Sequence, residues 1–195
     1  MQPSLMRSAE RFFLGLGIVA LAWAGGTAVY AELYQRYQYS RFEDKIHAAQ
    51  FSKAALAAEP VDLSEGGVIG KLDIPEIGIS VIVFQGVEEA ILRVGGGHVP
   101  GTPLPGADGN SAIAGHRDTF FRKLEGIRAG ARIRFSTVRA TVEYVVTSTE
   151  IVNPDDTRAL ESRGLPELTL ISCYPFHFIG AAPYRFIVHA VPATL

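Results

Sequence analysis

The feature that most constrains this chain is an uncharged apolar segment close to its N-terminus. Residues 12–31, with the sequence FFLGLGIVALAWAGGTAVYA, form a run of 20 residues without a single charged side chain. As a helix rising about 1.5 Å per residue, this run matches the roughly 30 Å thickness of the hydrocarbon core of a bilayer. The sequence therefore predicts a single transmembrane helix, with the folded domain in the residues that follow it.

The charges that flank this segment predict how the chain crosses the cytoplasmic membrane. Arg7 and Arg11 precede the segment and Glu32 follows it. Because positive charges are retained on the cytoplasmic side, we expect a short cytoplasmic N-terminus and an extracytoplasmic domain on a single-pass anchor. A cleaved signal peptide is the alternative, since residues 12–21 could form its apolar region and the triplet AWA at 22–24 resembles a cleavage site.

Charge and cysteine content narrow the functional class. The net charge is -2 and the pI is near 6.2, and a nucleic-acid partner is not expected because binding to phosphates needs clustered Lys and Arg. Cys173 is the only cysteine, so it cannot form an internal disulfide, and in an exported protein its thiol is open to oxidation. It is therefore either a small apolar core residue or a reactive group.

A polar stretch, residues 32–65, follows the apolar segment. Pro60 disfavours a helix at the preceding residue, and a loop is predicted after it. We interpret the stretch as a largely helical stalk that lifts the domain off the membrane, with a disordered linker as the alternative. Its apolar side chains recur at near-helical spacing, at Leu33, Tyr37, Phe42, Ile46, Ala49 and Leu56.

The sequence pattern of residues 66–195 is typical of an all-β domain. Seven or eight short runs of β-branched and aromatic residues are separated by Gly, Pro, Asn and Asp, with brief helical insertions expected at 88–94 and 119–124. Evenly spaced strands of this kind favour a sandwich or a closed barrel, because an all-β domain must cover or eliminate its sheet edges. The predicted organisation is thus anchor (1–31), stalk (32–65) and β domain (66–195).

The cysteine lies at the end of one predicted strand. The run TLISC ends at Cys173 and is followed by Tyr174 and Pro175, which stops the ladder because proline has no backbone donor. A position at a strand terminus suits a nucleophile better than a core residue. A thiol with the ordinary pKa of about 8.5 is only about 3% ionised at pH 7, so a cationic neighbour would assist it.

Two residues are candidates for that neighbour. His116 follows Gly115 at the end of an apolar strand, in SAIAGHRDTFF. Arg185 begins the last strand, in PYRFIVHA, and its position 12 residues after the cysteine predicts that it lies on the adjacent antiparallel strand. An arginine fork could stabilise an oxyanion or bind a substrate carbonyl.

The motifs TLISCYPF, AGHRDTFF and PYRFIVHA together resemble the catalytic motifs of sortases, in the family order His, Cys, Arg, and the longer matches are similar to class D members. The resemblance spans residues 66–192 and implies a closed eight-stranded sortase-type β-barrel. It also implies that Cys173 is the nucleophile, His116 the acid and base, and Arg185 the stabiliser of the tetrahedral intermediates. No cofactor is expected.

The same resemblance implies the reaction and its partners. The thiolate would attack the carbonyl of an LPxT-type sorting signal on a client protein, and the thioacyl-enzyme would be resolved by an amine acceptor such as a peptidoglycan precursor. Ser172 stands where the family usually has Thr, which keeps the hydroxyl but loosens packing against substrate. Tyr174 and His177 are expected to contact substrate in the same groove.

Metal sites are weakly indicated. His98, His177 and His189 lack the spacing of zinc ligands, and we predict no metal. Asp118 could orient His116 or lie in solvent. An acidic loop corresponds to a region where some class A sortases bind calcium, but it lacks a regular ligand pattern and is predicted to be solvated. Its carboxylates are Glu150, Asp155, Asp156, Glu161 and Glu167.

Two other functions remain open at this stage. A cysteine peptidase would use the same nucleophile and base with water in place of the amine. An anchored β-barrel binding module without catalysis would need none of the three residues, and the presence of all three counts against it.

Overall fold

The computed structural model describes residues 3–51, 63–162 and 164–193. It contains one long helix and a closed β-barrel of eight strands, which confirms the predicted fold class. The helices are α1 (Pro3–Phe51) and α2 (Glu89–Leu92). The strands are β1 (Val68–Ile74), β2 (Ile79–Gln85), β3 (Gly96–His98), β4 (Asn110–Gly115), β5 (Arg132–Ser136), β6 (Thr141–Val152), β7 (Glu167–Tyr174) and β8 (Tyr184–Pro192).

The strands close in the order β1-β2-β3-β4-β7-β8-β6-β5. Two neighbouring pairs, β2 with β3 and β4 with β7, are parallel, and the other pairs are antiparallel. Closure removes the sheet edges that would otherwise leave backbone groups unpaired. The short helical insertions expected from the sequence correspond to α2 and to a 3-10 turn at Arg122–Gly126.

The barrel interior is filled by large apolar side chains from every part of the sheet. Each fully buried Leu, Ile or Phe contributes about 1.5 to 3 kcal/mol relative to an exposed one. The largest fully buried side chains of this interior are Tyr144, Phe121, Phe135, Leu72, Ile74, Ile113, Leu124, Ile133, Leu168 and Leu170.

Buried polar groups fix the register between β4 and β7. The hydroxyl of Thr169 donates to Oδ1 of Asn110 at 2.8 Å, and the Asn110 amide donates to the carbonyl of Ala159 at 2.8 Å. A one-residue slip of either strand would turn its side chains to the opposite face and leave these groups unpaired. The Asn110–Thr169 hydrogen bond therefore sets the register of β4 and β7 up to their last pair, Gly115 with Ser172.

The second half of α1 packs against the barrel. Phe42 is buried in a cluster with Ile82, Phe84 and Ile91, and the ring of Tyr34 lies 6.0 Å from the ring of Phe84. Burial of a phenylalanine side chain of this kind contributes about 1.5 to 3 kcal/mol. The helix is thus attached to β2 and α2 by an apolar contact as well as by the chain.

A polar contact adds to this attachment. The side-chain amide of Gln35 accepts a hydrogen bond from the backbone N–H of Ile82 at 3.0 Å and donates to the carbonyl of Val94. Gln35 therefore connects α1 to β2 and to the segment that follows α2.

Residues 3–31 of the predicted anchor and residues 32–51 of the predicted stalk fall on α1, whereas residues 63–65 lie in the loop before β1. By length and composition the helix is able to cross a membrane, and its side chains in the apolar segment, such as Trp23, are exposed. Residues 32–51 are helical, as the stalk interpretation expects, whereas residues 52–62 lie outside the described residues. The divisions at residues 31 and 65 stay predictions.

Candidate active site

The pairing of β7 with β8 brings Cys173 and Arg185 together. Cys173 and Arg185 are direct cross-strand partners in this antiparallel pair. Directly opposite residues have Cβ atoms about 4.5 to 5.5 Å apart and point to the same face of the sheet. The prediction that Arg185 lies on the strand adjacent to the cysteine is therefore confirmed. The Arg185 guanidinium donates to the carbonyl of Tyr184 at 3.2 Å and its side chain is only partly buried.

The parallel pairing of β4 with β7 brings His116 to the end of β7 that carries Cys173. Gly115 is paired with Ser172 in the last pair of this ladder. His116 and Cys173 are each the next residue, so they leave the same end of two neighbouring strands. The three motifs thus meet at the ends of three adjacent strands, with Cys173 on the central one.

Gly115 is required by the packing behind His116. A Cβ atom at this position would lie 2.7 Å from the ring of Phe121, which is fully buried. A side chain here would push the ring out of the core or displace the end of β4. The glycine before the histidine therefore allows Phe121 to close the barrel beneath the site.

The imidazole of His116 is directed to a carboxylate. Its Nε2 atom lies 3.5 Å from Oε2 of Glu89, at the start of α2. Among the described residues, no hydrogen bond joins the Cys173 thiol to His116 or to Arg185. Hydrogen bonds between catalytic groups are often long in the free enzyme and tighten when substrate binds. In this structure Nε2 is therefore the ring nitrogen of His116 that faces Glu89.

Ser172 lies inside the barrel rather than at its surface. Its side chain is buried and its hydroxyl donates to the carbonyl of Gly115 at 3.0 Å. This bond joins β7 to β4 one residue before both Cys173 and His116. The hydroxyl expected from the family pattern is retained and holds the two strand ends together, and a direct substrate contact by Ser172 stays a prediction.

The other two residues predicted to contact substrate have different environments. Tyr174 is half-buried in an aromatic cluster with Phe176 and Phe186, with ring centroids 5.9 and 6.3 Å away. His177 is exposed, and its Nε2 atom lies 2.9 Å from Oε2 of Glu125. Tyr174 thus packs with these rings against the barrel core, whereas His177 lies at the surface.

Two residues near the site were not identified from the sequence. Glu89 contacts His116, and Arg117 donates three hydrogen bonds to backbone carbonyls of the loop between β7 and β8. Asp118, which was considered as a partner of His116, is exposed. The sequence holds no signal for the Arg117 contacts, because their acceptors are carbonyls about 60 residues away.

His98 and His189 are separate from the site. Both ring nitrogens of buried His98 face oxygen atoms, 2.9 Å from Oε1 of Gln85 and 2.9 Å from the carbonyl of Pro103, and burial lowers its pKa. His189 lies on β8, with its Nε2 atom 2.8 Å from Oε1 of Glu150. Within residues 3–51, 63–162 and 164–193, no group of three potential metal ligands occurs.

Asp156 of the acidic loop, like Glu150, is paired within the chain. Arg158 donates to Oδ1 and Oδ2 of Asp156 at 2.9 and 2.6 Å, and these hydrogen bonds lower the pKa of Asp156 to about 2. Both groups are at the surface, so the pair contributes little to stability.

Comparisons with known proteins agree with this geometry. A family model described as a sortase domain matches residues 72–193. The chain is 32% identical over 130 residues to Sortase D of Bacillus subtilis (strain 168), covering 66% of each chain. It is 28% identical over 145 residues to Sortase A of Bacillus anthracis, covering 71% of this chain and 69% of that one.

Solved structures share the fold. A Sortase D5 transpeptidase of Clostridium perfringens superposes with a TM-score of 0.71 at 24% identity, covering 82% of this chain and 98% of that chain. Sortase C-1 from Actinomyces oris superposes with a TM-score of 0.61 at 27% identity, covering 76% of this chain and 83% of that one.

The matches cover the barrel more completely than they cover the full length of the relatives. The chain spans 66% of the length of the Bacillus subtilis relative, slightly less than two thirds. The family model nevertheless includes most of the barrel and all three strand ends at the candidate site. The chain therefore belongs to the sortase family.

Proposed function

We propose that this chain is a membrane-anchored transpeptidase that transfers a protein from its sorting signal to an amine through a thioacyl-enzyme. The observation that carries the proposal is the register of the three strand ends. Cys173 is paired with Arg185 across the sheet, and His116 leaves β4 beside it. A nucleophile, a proton carrier and a fixed cation are thereby available to one substrate carbonyl.

The proposed reaction has two steps. The Cys173 thiolate adds to the carbonyl of the scissile amide, and Arg185 stabilises the negative charge that develops on the oxygen or orients the substrate backbone. His116 gives its proton to the leaving amine as the C–N bond breaks, which leaves a thioester on Cys173. An incoming amine then loses a proton to His116 as it attacks the thioester, and the thiolate is released.

The proposed substrate is a client protein with a C-terminal LPxT-type sorting signal, cleaved after its threonine. The proposed acceptor is an amine of the cell envelope, such as that of a peptidoglycan precursor. Support for both comes from family membership and not from contacts in this structure. A cysteine peptidase, in which water resolves the thioester, differs only in this second step.

The two possibilities separate when acylation and aminolysis are measured on the same protein. We expect a peptide with an LPxT-Gly sequence to form a mass adduct on Cys173, corresponding to the acyl fragment that ends at threonine. Added amine should then increase the yield of amide product at the expense of hydrolysis, because it competes with water for the thioester. Product formed only by hydrolysis at every amine concentration would make the chain a peptidase, and the absence of any adduct would contradict the proposal.

The proposed location is the outer side of the cytoplasmic membrane, with α1 as anchor. Protease added to intact spheroplasts should digest the barrel, because Arg7 and Arg11 retain the N-terminus inside. Protease added after detergent lysis is the control for total cleavage. Full protection in intact spheroplasts would reverse the proposed orientation, and a mature protein that begins at Gly25 would establish a cleaved signal peptide instead.

A further inference from the structure

Arg117, the residue after His116, is joined to the loop that connects β7 to β8. Its Nη1 atom donates to the carbonyl of Pro175 at 2.9 Å. Its Nη2 atom donates to the carbonyls of Phe178 and Gly180 at 3.0 and 2.8 Å. The guanidinium carbon also lies 5.7 Å from the centroid of the Phe178 ring. One side chain thus holds three backbone groups along the loop.

This loop, residues 175–183, connects the two strands that carry Cys173 and Arg185. Tyr174 and Tyr184 form the last cross-strand pair before it, and Cys173 and Arg185 form the next pair inward. A change in the path of the loop is therefore transmitted within one residue pair to both groups. The loop therefore influences the positions of Cys173 and Arg185, because its two ends continue directly into the strands that carry them.

Apolar packing does little to fix the outer part of this loop. The side chains of Phe178 and Ile179 are 46% and 99% exposed. Among the described residues, the other side-chain contacts on this part of the loop are those of His177 with Glu125 and Arg122, and all three groups are exposed. Hydrogen bonds from a charged donor to carbonyls are stronger than those between neutral groups, and the planar guanidinium presents several donors in fixed directions. Phe176 is buried in the core, so among the described residues Arg117 is the main constraint on the part of the loop that follows Phe176.

We propose that Arg117 is a positioning residue that holds the end of β4 and the β7–β8 loop as one unit. It keeps His116 beside Cys173 and keeps Arg185 opposite Cys173, and it does not itself touch the reacting atoms. The ladder between β4 and β7 ends at Gly115 and Ser172. Beyond this last backbone pair, the hydrogen bonds of Arg117 hold the end of β4 to the loop that follows β7. The inference rests on the proposed function, which assigns the reaction to His116, Cys173 and Arg185.

An electrostatic role for Arg117 is the competing explanation, since a cation near the site could attract a substrate carboxylate. The two roles differ in what lysine can replace. Lysine keeps the charge, but a single ammonium cannot donate to three separated carbonyls in the geometry of the guanidinium. Methionine removes the charge and retains a long side chain. Comparison of Arg117→Lys with Arg117→Met therefore separates positioning from charge.

The experiment compares the full-length chain in detergent with Arg117→Met, Arg117→Lys and the control Arg132→Met. Arg132 is exposed on β5, which pairs with β1 and β6 on another side of the barrel. Amide hydrogen exchange of residues 176–186, apart from Pro183, measures the loop together with the paired start of β8 that follows it. Single-turnover acylation by an LPxT-Gly peptide measures its effect on the reaction.

We expect Arg117→Met to exchange faster in the loop and to acylate more slowly, on the order of 10- to 100-fold. The peptide concentration at half-saturation should stay near that of the parent, because the change disturbs alignment rather than binding. Arg117→Lys should recover only a small part of the rate. Millimolar guanidinium should restore part of the rate to Arg117→Met and none to Arg132→Met, a response that general destabilisation would not give.

Two outcomes would overturn the inference. Unchanged loop exchange in Arg117→Met would show that the hydrogen bonds do not hold the loop. Full recovery of the rate by Arg117→Lys would assign the effect to charge. The exchange measurement needs no sorting-signal peptide, so failure of the parent chain to acylate any peptide would reject the proposed function and still leave the loop result to decide this inference.

Discussion

Replacing Cys173 with alanine is expected to abolish thioacyl formation and turnover while the barrel stays folded. The change removes one sulfur atom from a partly buried position at the end of β7, so the free energy of unfolding should change by less than about 1 kcal/mol. No second thiol exists to take over, because Cys173 is the only cysteine. Acylation should fall by about 10⁴-fold or more, as when another enzyme loses its nucleophile.

Mass spectrometry of the intact chain after incubation with an LPxT-Gly peptide measures the adduct, and thermal unfolding measures the fold. Cys173→Ser is the matched variant, because it keeps the size and polarity of the group and loses the easily ionised thiol. It should bind peptide and form no thioester. Appreciable cleavage or transfer by Cys173→Ala, with the fold intact, would remove Cys173 from the mechanism.

The antiparallel part of the site could be predicted because its information is local. Cys173 and Arg185 lie near each other in sequence, on either side of a single turn region that contains Pro175. A strand that ends at a proline and resumes within ten residues forms a hairpin, and the hairpin places residues equally distant from its ends opposite each other. The structure confirms this pairing.

The parallel part of the site could not be derived from the pattern of residues alone. Asn110 and Thr169 are 59 residues apart, and their hydrogen bond fixes the register that brings His116 beside Cys173. Nothing in the local sequence of either strand identifies the other as its partner. Only the resemblance of the complete motifs to a known family put His116 and Cys173 in one site.

The environment of the predicted helix was harder still to predict. The spacing of apolar residues indicated a helix, and α1 extends through residue 51. The spacing did not identify the side that contacts the barrel, since Leu33 and Tyr37 are exposed whereas Phe42 is buried and Gln35 bonds to β2 and to Val94. A contact between a polar side chain and backbone groups leaves no apolar pattern. The same reason hides the Arg117 contacts.

The second large effect is expected from His116 and Arg185, whose roles differ in their dependence on pH. If Cys173 reacts as a thiolate while His116 donates a proton, one group must have lost its proton while the other keeps one, so the rate of acylation should be bell-shaped in pH. His116→Ala should lose the alkaline limb of the profile, which reports the proton that His116 must keep, and should slow acylation by about 10²- to 10⁴-fold. Arg185→Lys keeps a positive charge opposite Cys173, so it should lower the rate at every pH without moving either limb much.

The geometry of Arg185 decides how much of its effect a lysine can replace. Its planar fork can donate two parallel hydrogen bonds to the substrate from the position opposite Cys173, whereas an ammonium is a single point charge. Arg185→Lys should therefore remain slower than the parent, by up to about 10²-fold if an oxyanion donor is lost. Single-turnover acylation measured against pH for the parent, His116→Ala and Arg185→Lys checks this, with Arg134→Lys on β5 as the matched control. An unchanged rate for Arg185→Lys would discard the geometric role, and a full rate for His116→Ala would mean that the proton of the leaving amine comes from another group.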